Sequence, residues 1–191
     1  VKNSSYRYCA VADFCEKIKL SDIVPALSEE DFYDAIFLYL NSKENKHNEI
    51  AIQKFVSELW PEIKKQIKIN VKSKNRIFRL MTPLFSEKNI DVGLINIAIE
   101  ILSVSEVIED FYIDGNGEKV INVLKQHPNV GKEFVRLYFE KCKYISSIAI
   151  ENIIKYLAKT DVGFAERMIV VLHDNNKIAI DFYEKLHNII H

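Results

Sequence analysis

Three of the chain's five glycines belong to one recurring tripeptide: Asp91-Val92-Gly93, Asn129-Val130-Gly131 and Asp161-Val162-Gly163. Each leads into an apolar, periodic stretch, over residues 94–102, 134–139 and 164–172. Asp and Asn favour helix N-caps, because the side-chain oxygen takes up an orphan backbone N–H. Each tripeptide therefore predicts a helix start. The starts lie 38 and 32 residues apart, a spacing within the range of helical repeats. The pattern predicts stacked helical hairpins, whose usual work is to present a surface to a partner.

The rest of the chain reads the same way. Five Gly and four Pro in 191 residues argue against a turn-rich β architecture. With 48% hydrophobic and 28% charged residues the chain can bury a core and is not disordered. Residues 1–28 are the least regular, although Tyr6, Tyr8, Val11, Phe14, Cys15 and Ile18 fit one helical face. Ser28 then caps a helix with Glu29, Glu30 and Asp31 in its first turn, where the helix dipole favours them. Further helices are predicted over 49–60, from Pro61 onward, and over 73–85, where Pro83 should kink the helix or shorten its last turn. Residues 94–107 are apolar around most of a helix circumference and predict the most buried helix, with Ile97, Ile101 and Leu102 inward. Helices over 118–126, 131–142, 145–158, 162–172 and 176–190 complete the set.

Asp114-Gly115-Asn116-Gly117 is the strongest turn signal. It can close a β-hairpin between residues 111–113 and Val120-Ile121. The helical spacing of residues 118–124 favours a helix–turn–helix connection instead.

The segment from Gly117 through Glu118, Lys119, Val120, Ile121, Asn122, Val123, Leu124, Lys125, Gln126 and His127 to Pro128 resembles the start of an armadillo or HEAT unit. In those families a glycine precedes a helix that ends apolar-apolar-polar-apolar-Leu, followed by a Pro/Asn turn and a second helix. Phe134, Val135, Leu137, Tyr138 and residues 145–157 continue that style, and the likeness covers roughly residues 74–190. The resemblance implies an all-α, irregular HEAT/armadillo-like array of about nine or ten helices. It also implies a non-enzymatic scaffold or protein–protein interaction module. One α-helical domain over 1–191 is expected, and a start at Val1 rather than Met reads as a piece of a longer chain.

Charge is unevenly spread. Residues 63–86 hold Lys64, Lys65, Lys68, Lys72, Lys74, Arg76 and Arg79 and no acid. Removing these seven positive charges from the whole-chain −1 leaves −8 on the rest. On one face they would bind phosphates, nucleic acid or an acidic protein segment; a merely solvated face of a Lys-rich chain is the plainer alternative. The expected partner is another protein or an acidic peptide segment, with nucleic acid as the alternative.

No other constellation carries chemistry. Cys9, Cys15 and Cys142 show no Cys-x-x-Cys or zinc spacing. They read as reduced thiols of an intracellular protein, cytoplasmic or nuclear, although Cys9 and Cys15 can also pair. His187 and His191 are four apart but lack a matching carboxylate motif, and His127 and His173 sit at helix ends, where they serve as caps. Glu29, Glu30, Asp31, Glu106, Glu109 and Asp110 have no nucleophile or His nearby in sequence. Gly115 and Gly117 lack the Gly-Lys-Ser/Thr ending of a phosphate loop. No apolar run reaches the ~20 residues that span a bilayer. No enzyme, metal, cofactor or membrane partner is expected. Tyr6, Tyr8, Tyr138 and Tyr144 are candidate exposed anchors for a protein partner.

Overall fold

The computed structural model describes residues 52, 53, 55–61, 81–105 and 116–191. The chain divides into two compact units, Val1–Met81 and Thr82–His191. Of the first, Ile52, Gln53 and residues 55–61 are helical, with a π-helical turn over Phe55–Leu59. The wider turn precedes Pro61, whose ring would crowd the carbonyl one turn back in a regular helix.

The second unit is all-α, and no strand occurs among the described residues. A 3-10 turn, Thr82–Ser86, is followed by α1 (Val92–Ser103), α2 (Glu118–Gln126), α3 (Pro128–Lys141), α4 (Ser147–Thr160), α5 (Val162–Asp174) and α6 (Ile180–Ile190). Pro83 lies within the 3-10 turn, as its missing N–H requires of a tightened end. Val120 and Ile121 are helical, so they form no hairpin strand.

Local chemistry sets the starts. Asp91 Oδ1 accepts from the Gly93 N–H at 2.7 Å and Asp161 Oδ1 from the Phe164 N–H at 3.0 Å, so both are true N-caps. Asn129 is not one. Pro128, with its φ preset for a helix, occupies the first position of α3, and His127 is the cap. Gly117 caps α2 at φ 77, a left-handed conformation that L side chains rarely adopt. A Cβ there would lie 2.9 Å from the Ala149 carbonyl oxygen, so α2 and α4 approach only because the residue is glycine.

The pairs that pack are α2 with α3, α4 with α5, and α5 with α6. Helices two apart also meet: α1 with α3, α2 with α4, α3 with α5 and α4 with α6, while the 3-10 turn packs on α2. The core follows these contacts. α1 buries Leu94, Ile95, Ile97, Ala98, Ile101 and Leu102, including the three residues expected inward. Phe85 meets Phe134 edge-on with ring centroids 5.4 Å apart, and Phe134 stacks on Tyr138 at 6.3 Å. Aromatic pairs of this geometry contribute beyond their buried area.

A polar clamp closes the side of this core. Asn122 Nδ2 donates to the carbonyls of Phe85 (2.8 Å) and Glu87 (3.0 Å), and Gln126 Nε2 to that of Glu87 (3.1 Å). The Ile90 N–H donates to Gln126 Oε1, and His127 Nε2–H donates to the Ile90 carbonyl at 2.7 Å. One polar face of α2 and its C-cap thus satisfy the main chain of residues 85–90, which has no secondary structure beyond the 3-10 turn to do so.

Candidate functional site

α3 packs on α5 and α4 on α6, so the α3–α4 and α5–α6 connections come together on one edge of the unit. Between them lies an open notch of about 390 Å³ lined by Lys143, Tyr144, Ile145, Ser146, Asn176 and Lys177.

Both connections are pinned. Cys142, the C-cap of α3, is extended at φ −75, ψ 126 and fully buried. Burial pushes its thiol up, out of the reactive range. At the end of α5 the Asn176 N–H donates to the His173 carbonyl and the Lys177 N–H to the Leu172 carbonyl. With Asn176 at φ 54, these bonds form a Schellman motif, and Asn is the residue other than Gly that best tolerates the left-handed position. Ile178 then turns inward.

The notch is cationic and partly apolar. Its lining includes two lysines and no carboxylate. Lys143 Nζ lies 5.4 Å from the Tyr144 ring centroid. Loss of hydration on burial lowers the Lys177 ammonium below its usual range. Tyr144 is 64% exposed, and Ile148 and Ile180, in the first turns of α4 and α6, are 58% and 62% exposed. Ser146 caps α4 with its backbone but makes no side-chain capping bond.

Of the four tyrosines expected as anchors, Tyr144 is at the notch and Tyr138 is not exposed at all. Tyr138 follows Phe134 by four residues on α3, so the same helical face carries both inward, and it is 2% exposed. Tyr6 and Tyr8 lie outside the described residues, as do Lys64, Lys65, Lys68, Lys72, Lys74, Arg76 and Arg79 of the basic segment, and Glu29, Glu30, Asp31, Glu106, Glu109 and Asp110. Lys143 and Lys177 carried no signal in sequence. They are 34 residues apart and converge only when the two helix pairs stack.

His187 of α6 and His191, its C-cap, have ring centroids 4.6 Å apart, in a row with Tyr183 and His173. No group of three or more His, Cys, Asp or Glu side chains suited to a metal occurs among the described residues. His173 lies in the last turn of α5, 3.5 Å from Asp174, while His127 joins α2 to α3 through Ile90. No described helix is long and apolar enough to cross a membrane.

Comparison of the chain with protein-family models, with curated proteins and with solved structures finds no match.

Proposed function

We propose that the chain is a non-enzymatic protein–protein interaction module, built as an irregular HEAT/armadillo-like array and belonging to a larger intracellular protein. The observation that carries this reading is the periodicity of the contacts. The 3-10 turn, α2, α4 and α6 pack in succession, and so do α1, α3 and α5. The Asp of a tripeptide caps α1 and α5, and the third tripeptide lies in the first turn of α3. A sequence signal that marks every second helix, at one place in each packed pair, is what a repeating two-helix unit produces. An array of about nine or ten helices is the full form of this reading. Such arrays act through exposed loops and edges, and this one has an exposed Tyr with apolar and cationic neighbours at adjoining loops.

The test is direct identification of a protein ligand: capture by the full chain, cross-linking to locate the contact, and titration of the purified partner by calorimetry. Saturable binding to a protein supports the module. A purified chain that turns over a substrate, or binds only nucleic acid, overturns it.

The acid-free basic segment supports a second reading, nucleic-acid or phosphate binding through Lys64, Lys65, Lys68, Lys72, Lys74, Arg76 and Arg79. Under it, wild-type protein shifts RNA or DNA with an affinity that falls steeply with salt, and Lys65→Glu, Lys68→Glu, Lys72→Glu and Arg76→Glu together abolish the shift. Absence of heparin retention and of any shift at low salt would end this reading and leave the first intact.

A further inference from the structure

We infer that Asn116 is a site of spontaneous deamidation, and that the isoaspartyl residue formed there loosens the joint between α2 and α4. The modification needs no enzyme and no partner, so it is separate from whatever the chain binds.

The turn before α2 supplies the reacting groups. Asn116-Gly117 is the only Asn-Gly pair in the sequence. Asn116 is exposed, and Gly117 stands at the N-cap of α2 with φ 77, outside the helical ladder. Among the described residues the Gly117 N–H donates no hydrogen bond. That nitrogen is the nucleophile, and the absence of a side chain on Gly117 leaves its approach to the Asn116 side chain uncrowded. The Gly117 nitrogen loses its proton to water and bonds to Asn116 Cγ. The Cγ–Nδ2 bond breaks, and Nδ2 leaves as ammonia with a proton taken from water. Water then opens the cyclic imide. Opening at Cγ leaves an aspartyl residue at position 116. Opening at the main-chain carbonyl carbon leaves an isoaspartyl residue, whose main chain runs through Cβ and Cγ. Asn122 and Asn152 lack these conditions. Each lies inside a helix, and each is followed by a β-branched residue, Val123 or Ile153, whose N–H belongs to the ladder.

The position makes the product matter. The Asn116 carbonyl accepts from Asn152 Nδ2 on α4 at 3.0 Å. Gly117 is seated so closely on α4 that a Cβ would lie 2.9 Å from the Ala149 carbonyl oxygen and 3.0 Å from Ile153 Cγ1. An isoaspartyl residue adds a carbon to the main chain at this point and turns the acceptor carbonyl into a carboxylate that branches off the chain. The Asn152 bond loses its main-chain partner, and the lengthened turn shifts Gly117 against a surface with no slack. A plain aspartyl residue adds charge but leaves the main chain as it was. The two products therefore act differently on the contact between α2 and α4, one of those that join successive helix pairs.

The experiment ages the full chain at neutral and mildly alkaline pH, folded and in urea. Peptide mass mapping follows the amide at position 116. Isoaspartyl carboxyl methyltransferase with labelled S-adenosylmethionine is the probe for isoaspartate. In the folded chain position 116 should lose its amide at a rate within ~3-fold of the unfolded chain, because a turn outside the ladder opens at little cost. The rate should rise with pH, since the nitrogen reacts after losing its proton. Asn122 and Asn152 should keep their amides in the folded chain. Asn116→Gln, whose imide ring is larger and slower to close, should age without these changes. The isoaspartyl fraction, separated by ion exchange, should show faster hydrogen exchange at residues 118–121 and 149–153 and a lower melting temperature. Asn116→Asp should melt nearer to wild type than that fraction does. Retention of the amide in the folded chain, with loss only in urea, overturns the inference. So does an isoaspartyl fraction whose exchange and melting match those of unaged protein, or an Asn116→Gln chain that loosens on ageing as fast as wild type.

Discussion

Lys132 Nζ lies 2.6 Å from Asp161 Oδ2, so the residue after the second tripeptide is tied to the cap of the third. The Asp161 carboxylate therefore has two duties, capping α5 through the Phe164 N–H and joining α5 to α3. The Lys132 bond, then the Phe164 N–H, hold its carboxyl below the ordinary 3.8. Glu151 does the same between α4 and α6, where Lys155 and Lys185 hold it down at about 2.

Both shifts have one sign. The folded state binds the proton less readily than the unfolded chain, so the stabilisation is complete above the ordinary carboxylate values and is lost as pH falls through the folded ones. For Glu151 that window runs from 4.5 down to about 2. The denaturation midpoint should fall with pH below these values. Glu151→Gln and Asp161→Asn should each flatten part of that decline. Urea titrations at pH 7 and across the acid range check this; identical acid slopes in wild type and both variants contradict it.

The tripeptide glycines are not equivalent. A Cβ on Gly131 would lie 3.1 Å from the Leu124 Cα, against α2 backbone that cannot give way cheaply. A Cβ on Gly163 would meet nothing nearer than the Arg167 guanidinium at 3.7 Å. Gly131→Ala should destabilise by ~1–2 kcal/mol, the strain exceeding the gain in helix propensity. Gly163→Ala should be neutral or stabilise by up to ~1 kcal/mol. Opposite shifts in melting temperature are the expected outcome, and equal shifts would mean that α2 and α3 pack less closely.

Asn122→Ala removes two donors from the carbonyls of Phe85 and Glu87. The Glu87 carbonyl keeps the bond from Gln126 Nε2, so the cost comes chiefly from the part-buried Phe85 carbonyl and should be about 1–3 kcal/mol. The loss should be local. Hydrogen exchange should rise at residues 85–90 more than in α5 and α6, which the clamp does not touch.

Leu102 is fully buried on α1. Leu102→Ala should cost ~2–5 kcal/mol through lost transfer energy and an unfilled cavity. A melting curve matching wild type would place the core elsewhere.

Hydrophobic periodicity located every described helix of the second unit, because one-sided burial is written directly in residue order. Ends were less legible. The helix expected from 131 begins at Pro128, since proline at the first position needs no cap from Asn129. The one expected from 176 begins at Ile180, because a left-handed Asn176 and the Lys177 N–H first finish α5. The helix expected to reach 107 stops at Ser103, where Ser105 Oγ turns back to the Ile101 carbonyl at 2.6 Å. The exposure of Tyr144 was legible because it stands between helices. Tyr138 was misread because its polar tip says nothing about the face its backbone presents. The notch itself depends on lysines brought together by tertiary stacking, which residue order does not record.

The principal contacts of α1 to α6 all join helices one or two places apart in the chain. Among the described residues of the second unit, no principal contact brings a distant segment back to complete an earlier layer. Loop-closure entropy is therefore met in short instalments, and each helix pair can dock on its predecessor as soon as it has been synthesised. During translation the second unit can assemble from Thr82 toward its C-terminal end, and the apolar face exposed at any moment is limited to that of the latest pair.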